Sequence, residues 1–273
     1  VKLIAEIGWN HMGDMDLALR MTEAAARSGA DIVKFQTWKV ENLKSGPWDS
    51  DGRRQIYEKA ELSREMHRQL KQRCEDLSVK FMSSCFSARD VAEVRAHTNL
   101  LKIPSTEIAN RELLEEAVRL FVDDPGHHIY LSTGASTWAE VETASSALIR
   151  SGANFTLMHC VSSYPCPAEK CNMLRMKDLQ RLSASVGYSG HYPGTTDALV
   201  AVELGAVAVE KHFTVDNSLP GRDNKFAILP HELAQIREYA DAREKMLTMM
   251  GSDFQSCEDD MRKNYRGRWD KRE

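Results

Sequence analysis

The chain reads as an α/β protein, a (β/α)8 barrel, and three observations predict this. Eight short apolar runs alternate with amphipathic stretches, glycine recurs at the same point between helix and strand, and polar residues close almost every run. Such alternation implies right-handed crossovers and a parallel sheet, and eight units favour its closure. A length of 273 residues suits one barrel.

The strands are expected at 2–7, 31–36, 80–83, 100–104, 128–132, 155–160, 185–189 and 207–212. Helical spacing, with apolar residues every three or four positions, is expected at 15–28, 63–77, 111–121, 138–151, 195–204 and 230–249. Ser28-Gly29-Ala30, Ser151-Gly152-Ala153 and Leu204-Gly205-Ala206 each place glycine just past a helix, where a left-handed cap is needed. The longest connection, about 38–62, follows the second strand and suits a lid or substrate wall. Residues 1–250 are expected to form the barrel, and 251–273 an extended, charged C-terminal arm.

Composition excludes several classes. A net charge of -4 gives no basic footprint for nucleic acid. No run is long enough to cross a bilayer and residues 1–7 read as a strand, so a cytoplasmic protein with no membrane partner is expected. Six cysteines with no CxxC pair argue against a zinc knuckle and for reduced, mostly buried thiols.

Barrel chemistry sits at the C-terminal ends of strands. His191 and His212 each close a strand, where neighbouring imidazoles can hold one divalent ion with positions left for water and substrate; a hydrogen-bonded structural histidine is the bland alternative. Lys34 and Lys102 lie within apolar runs, costly places for an ammonium without an anion. Either they pair internally with Glu6 or Glu107, or, with Ser84, Ser132 and Ser189 as hydroxyl donors, they bind the phosphate and carboxylate of a small substrate. Glu6 and Glu107 are candidates for a general base or a water-positioning group, against simple charge balance. His11 and His159 are weaker metal candidates.

Six segments in order complete the reading: Ala5-Glu6-Ile7-Gly8-Trp9-Asn10-His11, Val33-Lys34-Phe35-Gln36-Thr37, Leu131-Ser132-Thr133-Gly134, His159-Cys160-Val161-Ser162-Ser163-Tyr164-Pro165, Gly187-Tyr188-Ser189-Gly190-His191 and Glu210-Lys211-His212-Phe213-Thr214. Together they resemble the N-acetylneuraminate (sialic acid) synthase family over about residues 3–249. That resemblance implies condensation of phosphoenolpyruvate with an N-acetylmannosamine-like amino sugar, a divalent cofactor (manganese or magnesium) and a homodimer. It implies His191 and His212 as metal ligands, and Lys34, Ser84, Lys102, Ser132, Ser162 and Ser189 as phosphoenolpyruvate contacts. Glu6, Gln36, Tyr164 and Asp223 then resemble the sugar-side groups, and Glu107 the carboxylate near the reacting centre. Alternatives are a different aldose, or a non-catalytic sugar-phosphate-binding barrel. Against the family pattern, residues 1–273 are expected to hold the barrel without a C-terminal antifreeze-like domain, with Ser162 where asparagine is frequent and Arg222 where proline is common.

Overall fold

Each strand hydrogen-bonds in parallel to the next in sequence, and the first returns to pair with the eighth. The structure, a computed structural model, describes residues 1–269. Its strands are β1 (Lys2–Gly8), β2 (Ile32–Thr37), β3 (Lys80–Cys85), β4 (Leu100–Ile103), β5 (His128–Ser132), β6 (Phe155–Cys160), β7 (Val186–Gly190) and β8 (Ala208–His212). The expected (β/α)8 barrel is therefore the observed fold.

Helices α1 (Met15–Arg27), α2 (Arg53–Ala60), α3 (Arg64–Asp76), α4 (Ala88–Arg95), α5 (Arg111–Phe121), α6 (Trp138–Arg150), α7 (Arg175–Leu179), α8 (Thr196–Glu203) and α9 (Pro230–Met246) cover the connections. Local chemistry starts several of them. Asp14 accepts from Leu17 N at the head of α1, Asn110 does the same for Leu113 N at α5, and Thr137 with Glu140 forms a capping box on α6. Gly29, Gly152 and Gly205 follow their helices with φ of +90°, +73° and +87°, the left-handed cap the sequence calls for.

Three helices depart from the sequence pattern. α4 and α7 have only eight and five residues, too few for a 3.6-residue period to stand out, and α2 lies in the 38–62 connection with Ala60 as its one buried residue. Two compact units result, Val1–Ala240 and a second that begins at Asp241. Within the second, 3-10 and π turns at Ser256–Glu258 and Met261–Tyr265 replace the extended arm expected there, and Arg262 stacks on Phe254 at 4.2 Å. Residues 270–273 of that arm lie outside the described residues.

The core has two shells. Leu3, Val33, Phe81, Leu101, Ile129, Leu157 and Val209 face outward onto the helices in one continuous cluster, whereas Ile4, Ile32, Met82, Leu100, Tyr130, Met158 and Ala208 fill the barrel interior. All six cysteines are free and all but Cys257 are buried. Among the described residues no helix is long and apolar enough to cross a membrane.

Candidate active site

Side chains on a strand alternate faces, so the residues two positions beyond the interior apolar layer must also point inward. That step leads to Glu6, Lys34, Ser84, Lys102, Ser132, Cys160 and Glu210, with Ser189 on β7. An apolar floor thus carries a polar layer directly on its C-terminal side. One further step brings Gln36, His191 and His212 to the mouth.

The polar layer is a closed network of charges. Lys34 Nζ lies 2.5 Å from Glu6 Oε2 and 3.5 Å from Glu210 Oε1, and it donates to Ser84 Oγ at 3.0 Å. Lys102 Nζ is 2.8 Å from both oxygens of Glu210, and Ser189 Oγ donates to the same carboxylate at 3.1 Å. Gln36 Nε2 donates to Glu6 Oε1 at 2.5 Å. Gly8 makes room for this pair: a Cβ there would stand 3.0 Å from both Gln36 Nε2 and Glu6 Oε1.

Burial and pairing set the protonation. Burial opposes charge on Glu210, but Lys102 and Lys34 outweigh it and hold the carboxyl down to about 2. Glu6, with Lys34 as its one ammonium and Glu210 repelling it, is pushed up by burial. Burial lowers Lys102 against the pull of Glu210, whereas for Lys34 burial is overcome by Glu210 and Glu6 and the ammonium is favoured. Apolar packing in place of such buried pairs is often neutral or stabilising by about 1–4 kcal/mol, so stability alone does not account for the network.

Next to it stands an aromatic and imidazole cluster. The His191 and His212 rings are 5.4 Å apart between centroids, and the Tyr164 ring lies against His191 with centroids 4.0 Å apart and planes tilted by 42°. His191 Nδ1 donates to Val161 O at 2.8 Å, which leaves Nε2 with its lone pair, and His212 Nδ1 is buried without a hydrogen-bond partner, 3.8 Å from Asp223 Oδ2. Burial, then His212, holds His191 to about 3; burial, then Lys34, does the same for His212. Both rings are neutral, the form that ligates a divalent cation. No group of three metal-ligating side chains occurs among the described residues. A cation held by this pair alone would take its remaining ligands from substrate and water.

Most residues singled out from sequence converge here. Glu6, Lys34, Gln36, Ser84, Lys102 and Ser189 share the network; His191, His212, Tyr164 and Asp223 share the cluster. Ser132 Oγ and Ser162 Oγ are buried with no partner, two hydroxyls ready to donate. Glu107 does not join them: half-buried on the turn after β4, it accepts from Asn110 Nδ2 at 2.9 Å, and the expected pairing with Lys102 is taken by Glu210. His159 faces the helices and bonds to Cys171 O, while His11 Nδ1 accepts from Gly13 N. Three contributors carry no role in the sequence reading: Glu210, Arg222, and Trp9, whose Nε1 donates to Asp223 Oδ2 at 3.0 Å. Glu210 was detectable, being two residues before His212 on one strand and hence on the same face.

The fold and these residues define a (β/α)8 barrel with a buried charged network and a pair of imidazoles at its C-terminal mouth. The chain belongs to the NeuB family, which it matches over residues 21–252. It is 36% identical over 250 residues to the N,N'-diacetyllegionaminic acid synthase of Campylobacter jejuni, covering 86% of this chain and 73% of that protein. It is 33% identical over 252 residues to the N-acetylneuraminate-9-phosphate synthase of Drosophila melanogaster, covering 86% and 66%. A solved N-acetylneuraminic acid (sialic acid) synthetase from Leptospira borgpetersenii, in complex with citrate, superposes with a TM-score of 0.84 at 31% identity, covering 97% and 93%.

Proposed function

We propose that this chain condenses phosphoenolpyruvate with an amino-sugar aldose, giving a 3-deoxy-2-keto (nonulosonic) acid and inorganic phosphate. One observation carries the reading: two buried ammonium groups, Lys34 and Lys102, stand in the same barrel mouth as two neutral imidazoles. An anionic donor and a carbonyl acceptor need those two environments side by side. The names of these three relatives, synthases or a synthetase of legionaminic and neuraminic acids, support the reaction class.

In this reading C3 of the enolpyruvate attacks the aldehyde carbon and forms the new C–C bond. The aldehyde oxygen takes up a proton as its charge develops. Water adds to the cationic C2 and loses a proton, and the tetrahedral carbon then expels inorganic phosphate. Lys34 and Lys102 neutralise the phosphate and carboxylate of the donor, with Ser84, Ser132, Ser162 and Ser189 supplying hydroxyl donors. Lys102 also offsets charge on the bridging oxygen as phosphate departs. Glu6, oriented by Gln36, handles the proton on the sugar side, where Tyr164 and Asp223 form the wall. His191 and His212 are the residues that would hold a manganese or magnesium ion, which when bound would supply Lewis-acid polarisation of the aldehyde. A homodimer and a cytoplasmic setting complete the reading, on kinship alone.

Phosphate release from phosphoenolpyruvate, measured with a panel of aldoses with and without chelator, tests it. Release that depends on an aldose and stops with EDTA is the expected result. Release without any aldose, or none with any, overturns it.

A further inference from the structure

We propose that Arg222 selects an aldose carrying an oxyanion, a phosphate monoester or a carboxylate, at the end remote from its aldehyde. The inference rests on the synthase reading of this site and adds the class of acceptor. Arg222 lies in the connection between β8 and α9, at the rim of the imidazole cluster. Its guanidinium carbon sits 4.8 Å from the centre of the Tyr164 ring, and its Nε donates to Asp223 Oδ1 at 2.9 Å. Tyr164 in turn packs against His191, and Asp223 approaches His212. Both steps are short enough for a six-carbon chain to reach from the imidazoles to the guanidinium.

Two constraints fix the guanidinium: a ring beneath it and a carboxylate on Nε. Its two Nη groups have no protein partner among the described residues, and the side chain is 56% exposed. An oriented fork with both prongs free matches two oxygens of one phosphate or carboxylate. The base beneath is tied down. Asn224 bonds to Thr214 Oγ1, Asn10 O and Pro220 O, and Asn217 bonds to the carbonyls of Asn224 and Ala227. Little ordering entropy therefore remains to be lost when an anion docks. Asp223, already accepting from Trp9, could take a neutral sugar hydroxyl unaided, so the cation beside it adds most for a negatively charged substituent.

The test compares three acceptors in the phosphate-release assay: a neutral N-acyl aldose, its terminal phosphate ester, and its terminal carboxylate. Wild type should prefer one of the two anionic forms, and which one identifies the oxyanion. R222A should raise KM for that form about tenfold to a hundredfold more than for the neutral aldose, and R222K, keeping charge without the fork, should fall between. A preference for the neutral aldose, or an R222A variant that weakens all three acceptors alike, overturns the proposal while leaving the synthase reading intact. Failure of every acceptor to release phosphate overturns both.

Discussion

Lys102 on β4 and Glu210 on β8, from opposite sides of the barrel, meet at 2.8 Å through both carboxylate oxygens. This contact, with Lys34 on its flank, balances the interior charge before any ligand arrives. Removing the carboxylate charge alone should leave two buried ammonium groups sharing Glu6. Glu210→Gln is therefore expected to destabilise the protein by about 3–5 kcal/mol, seen as a lower denaturant midpoint at constant slope. Lys102→Met combined with Glu210→Gln should cost less than Glu210→Gln alone, because charge and countercharge leave together. A Glu210→Gln protein as stable as wild type would refute this account of the network.

Ser132 gives the opposite signature. Its hydroxyl is buried and unpartnered, so Ser132→Ala should leave stability within about 1 kcal/mol of wild type or raise it. The same change should raise KM for phosphoenolpyruvate about tenfold, the loss of one hydrogen bond to a charged group. An unaltered KM would remove Ser132 from the donor site.

His191→Ala and His212→Ala should each weaken manganese binding, followed by calorimetry on the enzyme without substrates, by at least about tenfold. Circular dichroism should show the barrel intact, since neither ring fills the apolar floor. Undiminished manganese binding in either variant would take that histidine out of the cation site.

Acid should destabilise the fold through histidines away from the chemistry. His11, held by burial to about 4, and His128, also lowered to about 4 chiefly by burial, both titrate near 6.5 once unfolded. Between those values the unfolded chain binds more protons, so the stabilisation is complete above about pH 6.5 and is lost as pH falls toward 4. For His11 the loss amounts to about 3 kcal/mol, at roughly 1.4 kcal/mol per pH unit. Unfolding free energies for wild type and His11→Asn from pH 4 to 7 check this. Identical acid slopes would exclude His11 as a contributor.

The barrel was legible because its signals are local and repeated. Left-handed glycines past the helices and apolar runs of strand length act within a few residues of chain. Pairings across the barrel were not. Lys102 and Glu210 are 108 residues apart, and nothing along the chain tells Lys102 to choose Glu210 over the nearer Glu107. Glu107 went to Asn110 three residues away because the turn after β4 closes on itself. Arg222 stood out in the sequence only as a departure from pattern, because its meaning depends on Tyr164 folding beneath it from another strand end.

Three consecutive residues of β8 divide their labour across the barrel wall. Glu210 and His212 point to the mouth, while Lys211 points outward and binds Asp197 on α8 and the carbonyl of Tyr192, the neighbour of His191. The outer shell thus grips both histidine-bearing segments from behind. Damage to Asp197, on the outer face of the barrel, would loosen the histidine pair through its mountings, so a lesion that disturbs the mouth need not touch it at all.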